Sequence, residues 1–414
     1  MSEAQAAQIE VSEIQGLVNW LASFGGTPEG GVTRLLYSDA WVQAQNALAN
    51  KMQETGFYTY FDQVGNLFGR IEGTDCKDEV MLTGSHVDTV VQGGKYDGAY
   101  GVLASFLAVR KLVERFGKPK KTIEIVSLCE EEGSRFPLTY WGSKNLVGDY
   151  SPITIEGMKD REGMSFKQAM TDAGFPFKEY QTKKRDDIKR FVEIHIEQGS
   201  VLEKSQLDLG LVSHIAGQKR FTITLNGESN HAGTTPMTER KDAIVCAANA
   251  ISELTAIAKA EYPSLRVTTG QLLAKPNVPN VIAGNVSFTL DIRHHESEIL
   301  EAFCHRATEL LSQLASKSGI AIDIDLWTDI RPVPLDTNLH DEMKKGLTEK
   351  GFKYTTMVSG AGHDAQVFGQ HIPTTMLFVP SKNGISHSPL EFTDSYHLEI
   401  GVSVLMDYLY ELAY

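Results

Sequence analysis

VMLTGSHVDTVVQGGKYDGAYG, residues 80–101, changes character twice. It opens on an apolar run, Val80-Met81-Leu82, with the pattern of a buried strand. It closes at Ala99, from which apolar residues recur at helical spacing as far as Phe116. Between the two lies a glycine-bearing polar loop with His86, Asp88 and Asp97. Strand, loop and helix in that order make the repeating unit of α/β proteins. Sites on open α/β sheets lie beyond the carboxyl ends of the strands, so this loop stands where chemistry is expected.

The same alternation extends along the chain. Residues 10–24 and 41–55 read as helices, and 65–71 and 79–82 as strands. Residues 122–129, 191–196 and 374–379 are further buried strands, and 339–350 and 398–412 further helices. Residues 217–329 follow another rule. The stretches 220–227, 285–294 and 320–327 alternate apolar and polar side chains, 265–273 reads as one more strand, and helices are expected at 242–260 and 297–318. That order, βαββαβ, is ferredoxin-like. The expected fold is therefore a discontinuous α/β domain, residues 1–216 and 330–414, with a mostly parallel mixed sheet flanked by helices. A small α+β domain is inserted at 217–329.

Composition narrows the function. The 414 residues carry a formal net charge of −14, with 42% hydrophobic and 22% charged residues. A globular chain without a clustered basic surface is a poor nucleic-acid binder. The N-terminus lacks a basic n-region and an apolar h-region, and no segment reads as a membrane span. The four cysteines, Cys76, Cys129, Cys246 and Cys304, form no CxxC pair. A reducing cytoplasm is the expected compartment, and any metal must be held by His, Asp and Glu.

Each buried strand is followed by such residues. His86 and Asp88 follow the first, Glu130-Glu131-Glu132 the second and His387 the last, while His195 lies within the strand 191–196. Taken singly, each has a plainer reading: a loop histidine, a solvated charge run, or, for Asp97, a helix N-cap. Taken together they suit a divalent ion, since three adjacent carboxylates at a sheet edge repel one another unless a cation offsets them. Five ligands with one bridging carboxylate make a two-metal site, whose ions, about 3.5–4 Å apart, can share a hydroxide and polarise a carbonyl. A carboxylate beside them can act as general base and then as proton donor. Rival motifs are weak: GxSxG and HExxH are absent, and Gly360-Ala361-Gly362-His363-Asp364-Ala365 lacks the acidic residue that a dinucleotide site needs further on.

The motifs GSHVDTVVQGGKYDG (84–98), EEEGSRFP (130–137), HIEQG (195–199), SNHAGTTPM (229–237), SGAGHDAQ (359–366) and GISHSP (384–389) resemble those of the di-metal aminoacylase- and carboxypeptidase-like amidohydrolases. Within that group the chain resembles the branch of allantoate amidohydrolases, N-carbamoyl-L-amino-acid hydrolases and β-ureidopropionases. GGVTRLLYSDAW (30–41) is most similar to the allantoate-cleaving members. The resemblance implies metal ligation by His86, Asp97, Glu132, His195 and His387, with Asp97 as the bridge. It implies Glu131 as base, Asp88 as the residue that orients His86, and substrate contacts from Gln198, His231, Asn280, Arg293 and His363. His231 would also stabilise the oxyanion. The inserted domain would be a lid that forms a homodimer and sends some groups to the partner's site.

The implied cofactors are two divalent ions, zinc or manganese, with cobalt also suited. The implied reaction is hydrolysis of the ureido C–N bond of allantoate to ureidoglycine, ammonia and carbon dioxide. N-carbamoyl-L-amino acids are the second choice of substrate. A dipeptidase or deacylase of the same fold is a third reading, which Gln198 and the GSRFP run oppose. A non-catalytic binding protein is a fourth, which the full set of ligands plus Glu131 opposes.

Overall fold

The computed structural model describes residues 12–149, 155–177 and 184–414. The first residues of the predicted helix 10–24, and most of the N-terminal segment read for targeting, lie outside them. The chain divides into two compact units, Met1–Ser213 with Leu335–Tyr414, and His214–Pro334.

The first unit opens with helices Glu13–Ala22 and Asp39–Glu54, capped by the hydroxyls of Ser12 and Ser38, which accept the amide protons of Gln15 and Trp41. Strands β1 (Tyr58–Phe61), β2 (Leu67–Ile71), β3 (Cys76–His86), β4 (Lys121–Leu128), β5 (Ile188–Ile196) and β6 (Leu209–Ile215) follow. The intervening segment supplies β7 (Gly217–Asn226), β8 (Asn230–His231), β9 (Arg266–Thr268), β10 (Leu272–Lys275), β11 (Val281–Ile282), β12 (Asn285–His294), β13 (Ala321–Ile330) and β14 (Val333–Pro334). The chain then adds β15 (Tyr354–Ser359) and β16 (Thr374–Val379).

In the first unit the strand order is β1-β2-β4-β3-β5-β16-β6, with β15 on β6. The four central strands, β4-β3-β5-β16, run parallel. The outer pairings, β1–β2, β2–β4 and β16–β6, are antiparallel. The sheet is thus mixed, and parallel only at its centre, rather than mostly parallel. Residues 62–66 between β1 and β2 are too few for a crossover, so that pair can only form a hairpin. The central strands are near-continuously buried, as parallel strands must be. Their shared direction puts His86, residues 129–132, His195 and the loop after Val379 along one edge. The helices Ala99–Phe116 and Ser395–Ala413 pack on this sheet and on each other. Gly101 lets the first of them sit close: a Cβ there would lie 2.3 Å from the Ile194 carbonyl oxygen and 2.8 Å from Ser85 Cβ.

The second unit is an antiparallel sheet in the order β10-β12-β7-β13, with β9 also on β12, and a separate β8–β11 ribbon. On β7 and β12 every second residue is buried, and Ile223, Leu225, Phe288 and Leu290 form a core with helices Ala243–Glu261 and Ser297–Lys317. Two expectations fail here. The strand predicted at 265–273 is two strands, β9 and β10, because residues 269–271 leave the ladder and Gln271 bonds Thr289 through both its amide and its carbonyl. And one helix, Ala243–Glu261, is long and apolar enough by length and composition to cross a membrane. Its alanines raise the hydropathy, and its buried face, Ala243, Cys246, Ala247, Ala250, Leu254 and Ala258, packs in this unit's core.

Gly101→Ala should destabilise the protein by about 1–3 kcal/mol, the usual cost of overpacking, despite alanine's better helix propensity. Denaturant unfolding measures it; an unchanged midpoint would contradict the close approach to Ile194.

Candidate metal centre

The loop between β3 and the helix Ala99–Phe116 is pinned from the N-terminal side of the chain. Arg34, 1% exposed, donates from Nε to the Val87 carbonyl (2.5 Å) and from Nη1 to the carbonyls of Leu21 (2.9 Å) and Phe24 (3.0 Å). Its own amide bonds Thr89 Oγ1 at 2.9 Å. Burial pushes its guanidinium down to about 10, opposed by the charge of Asp88. The GGVTR stretch is therefore structural, since its arginine holds His86 and Asp88 in place.

Asp97 is not an N-cap. That position is taken by Gly98 at φ 62, and the helix has no side-chain cap. A Cβ on Gly98 would fall 2.4 Å from the His86 ring, so glycine is required where the loop turns in towards His86. Freed from capping, the Asp97 carboxylate faces two ways. Oδ1 lies 3.1 Å from His195 Nε2 and 3.7 Å from His86 Nε2. Oδ2 lies 3.2 Å from His387 Nε2, which is itself 3.5 Å from Glu132 Oε2. Two groups result, His86–Asp97–His195 and Asp97–Glu132–His387; within each, the candidate ligand atoms lie within 4.8 Å of one another. Asp97 belongs to both.

The three glutamates point three ways. Glu132 faces His387, Glu131 Oε2 lies 3.8 Å from His86 Nε2, and Glu130 is fully buried at φ 55. Burial, then the charges of Glu132, Asp364 and Asp97, hold Glu131 well above the ordinary carboxylate range. Burial and the charges of Asp97 and Asp88 do the same to Glu132. Burial would also raise Asp97, but hydrogen bonds from His195 and His387 hold it well below its usual value. Burial disfavours the His195 imidazolium, yet Asp97 outweighs it and lifts this group to about 9. Such a concentration of carboxylates facing imidazoles fits a divalent cation, which would displace those protons.

The orientation of His86 differs in detail from expectation. Its Nδ1 bonds the main-chain carbonyl of Asp88 at 3.0 Å, while the carboxylate stands off at 3.8 Å. Asp88 Oδ2 instead accepts the Glu132 amide proton at 3.2 Å, tying together the two loops that carry candidate ligands. His195 Nδ1 meets the Ile196 carbonyl at 2.9 Å, which turns Nε2 to the Asp97 side, where it also receives the Gly98 amide proton at 2.9 Å.

The expected substrate groups are dispersed. Gln198 Nε2 donates to Asp97 Oδ2 at 2.8 Å. His363 is buried against His195, with ring centroids 4.6 Å apart, and bonds Ser359 Oγ; burial and the His195 charge push it well down, so its ring is neutral. In the second unit, β8–β11 pairing brings His231 beside Asn280, whose carbonyl accepts the Ala232 amide proton at 3.0 Å. Arg293 sits near the far end of β12 from that ribbon, its Nε and Nη2 on Asp291 at 2.8 and 3.0 Å.

Sequence reasoning missed Glu391 and Ser386. Glu391 accepts the amide protons of Tyr96 (2.9 Å) and Asp97 (3.1 Å), and Ser386 Oγ lies within bonding distance of both Glu391 Oε2 (2.7 Å) and Asp97 Oδ2 (3.1 Å). The signal available was the pair Gly93-Gly94: a Cβ on Gly94 would lie 2.0 Å from Glu391 Oε1.

Residues 82–411 match the profile of peptidase family M20/M25/M40. The chain is 50% identical to the allantoate amidohydrolase of Bacillus subtilis, over 97% of this chain and 98% of that one. It is 44% identical to the allantoate amidohydrolase of Escherichia coli, again over 97% and 98%. A crystal structure of an amidase of the hydantoinase/carbamoylase family from Burkholderia multivorans superposes with a TM-score of 0.92 at 30% identity, covering 98% of both chains.

Asp97→Ala removes the side chain common to both groups, so metal content should fall from two ions per chain to fewer than one after dialysis. His387→Ala should retain one. Elemental analysis distinguishes them; equal losses would contradict a shared Asp97.

Proposed function

We propose, for a chain that belongs to peptidase family M20/M25/M40, that it is an allantoate amidohydrolase working with two divalent ions held by His86, Asp97, Glu132, His195 and His387. The observation that carries the chemistry is the Asp97 carboxylate, turned by its two oxygens to two histidine-bearing groups. The donor set has imidazole and carboxylate but no thiolate, which suits zinc, manganese or cobalt. Bound there, the ions would supply Lewis acidity to a carbonyl oxygen and to water.

The protein's own groups do the rest. Glu131 lies beside His86 on the Asp97 side and is held basic enough to take a proton from the attacking water. It returns that proton to the departing ammonia nitrogen. The reaction cleaves the ureido C–N bond of allantoate and gives ureidoglycine, ammonia and carbon dioxide. Identity of 50% and 44% to allantoate amidohydrolases, against 34% and 35% to the N-carbamoyl-L-amino-acid amidohydrolases of Paenarthrobacter aurescens and a Pseudomonas species, favours allantoate over N-carbamoyl amino acids. Asp88 steadies the ring of His86 through its main chain, and Gln198 and His363 line the first unit's share of the substrate site.

We read the second unit as a ferredoxin-like lid and dimerisation domain. His231 and Asn280 would meet the substrate's ureido oxygen, and Arg293 its carboxylate. Arg293 lies eight residues along β12 from Asn285, roughly 26 Å at about 3.3 Å per residue. One small substrate does not span that, so the two ends of the lid serve different sites in a homodimer. Supporting a dimer, β10 is an edge strand with Leu272 57% and Leu273 63% exposed, and Ile244 and Val245 are exposed on the apolar helix.

The purified enzyme should release ammonia from allantoate and none from N-carbamoyl-methionine; the reverse result overturns the substrate. Glu131→Gln should lower kcat by on the order of 10²–10⁴-fold with both ions retained. Because a raised carboxyl is protonated and useless as a base at low pH, kcat/KM should fall with acidification along a limb above the ordinary 4.5. The limb should vanish in the glutamine variant. Leu273→Asp should convert a dimer to a monomer by light scattering.

A further inference from the structure

Glu391 is 2% exposed and stands behind the bridging aspartate. Its Oε1 receives the amide protons of Tyr96 and Asp97, and its Oε2 lies 2.7 Å from Ser386 Oγ. That hydroxyl is also 3.1 Å from Asp97 Oδ2, and it accepts from Gln198 Nε2 at 3.3 Å. A serine has one proton to donate. Glu391 and Asp97 therefore compete for it, and the shorter bond runs to Glu391. Asp97 Oδ2 already accepts from Gln198 Nε2 at 2.8 Å, so a proton given to Glu391 leaves this oxygen, which faces His387, one lone pair for a ligand.

We propose that Glu391 is a positioning residue for Asp97. It fixes the main chain at Tyr96-Asp97, and it draws the Ser386 proton away so that Asp97 Oδ2 stays available as a ligand. The inference rests on the reading of Asp97 as a shared metal ligand.

The glutamine variant separates these two effects. In E391Q the amide oxygen must stay on the two main-chain N–H groups, since the NH₂ end would face donors there. The NH₂ then points at Ser386 and donates, which turns the serine proton onto Asp97 Oδ2. The loop stays anchored, but a ligand lone pair is consumed.

The test is titration of metal-free protein with cobalt(II), followed by visible absorbance and by ions bound per chain. Wild type should take two ions. E391Q should take the first normally and bind the second on the order of 10–100-fold more weakly, the usual effect of losing a supporting contact behind a ligand. The double variant E391Q/S386A, with no proton to misdirect, should regain most of that affinity. S386A alone should bind the second ion at least as tightly as wild type, and it needs no change at the buried carboxylate. A purely structural role for Glu391 predicts no rescue. Normal second-ion binding in E391Q, a double variant no better than E391Q, or weakened binding in S386A overturns the proposal. A wild-type chain that takes fewer than two ions overturns both this proposal and the two-metal reading beneath it.

Discussion

The centre depends on one carboxylate being denied to its helix. Asp97 stands just before Ala99–Phe116, where an aspartate would ordinarily cap, and Gly98 takes the cap position instead. The side chain is thereby released to lie between His195 and His387. Several other features follow from that placement. Gly94 and Gly98 have no room for a Cβ, Gln198 and Ser386 converge on Oδ2, and Glu391 secures the main chain. A buried anion with this many contacts would be costly without positive partners, and the imidazoles and any bound cation are those partners.

The fold contributes direction. Four parallel strands can end their chains at one edge, and here three endings deliver imidazoles, from β3, from β5 and after β16, while the loop after β4 delivers carboxylates. Side chains mounted at strand ends of a fully buried sheet are held more firmly than side chains on free loops. The carboxylates of residues 130–132 use this rigidity to divide their roles. Successive residues leave the strand in different directions, so a one-residue difference decides whether a carboxylate faces His86 or His387.

Much of this was legible in the sequence, and the reasons are physical. Val80-Met81-Leu82, the run 122–129 and the run 374–379 are continuous apolar stretches because their strands are covered on both faces. Position directly after such runs marks His86 and the run Glu130–Glu132 as candidates, while the choice of Glu132 within that run came from the family resemblance. β1 was missed because its residues are partly exposed and it lies at the sheet edge, so no burial pattern marks it. The break at 269–271 depends on a bond to Thr289 on another strand, which no local pattern contains. Glu391 escaped for a similar reason: it follows no strand and acts on a loop 294 positions earlier in the chain. The hairpin edges of the sheet were misjudged because periodicity reports burial and not strand direction.

The order in which the groups occur along the chain has its own consequence. His86, Asp97, Glu131, Glu132 and His195 all precede the inserted unit, while Ser386, His387 and Glu391 come after β16, near the C-terminus. His86–Asp97–His195 draws its three side chains from the earlier half alone, whereas Asp97–Glu132–His387 needs both halves. The Asp97–Glu132–His387 group therefore closes only when the two halves of the first unit come together across the inserted residues 214–334, and the later half also brings the Glu391 anchor for Asp97.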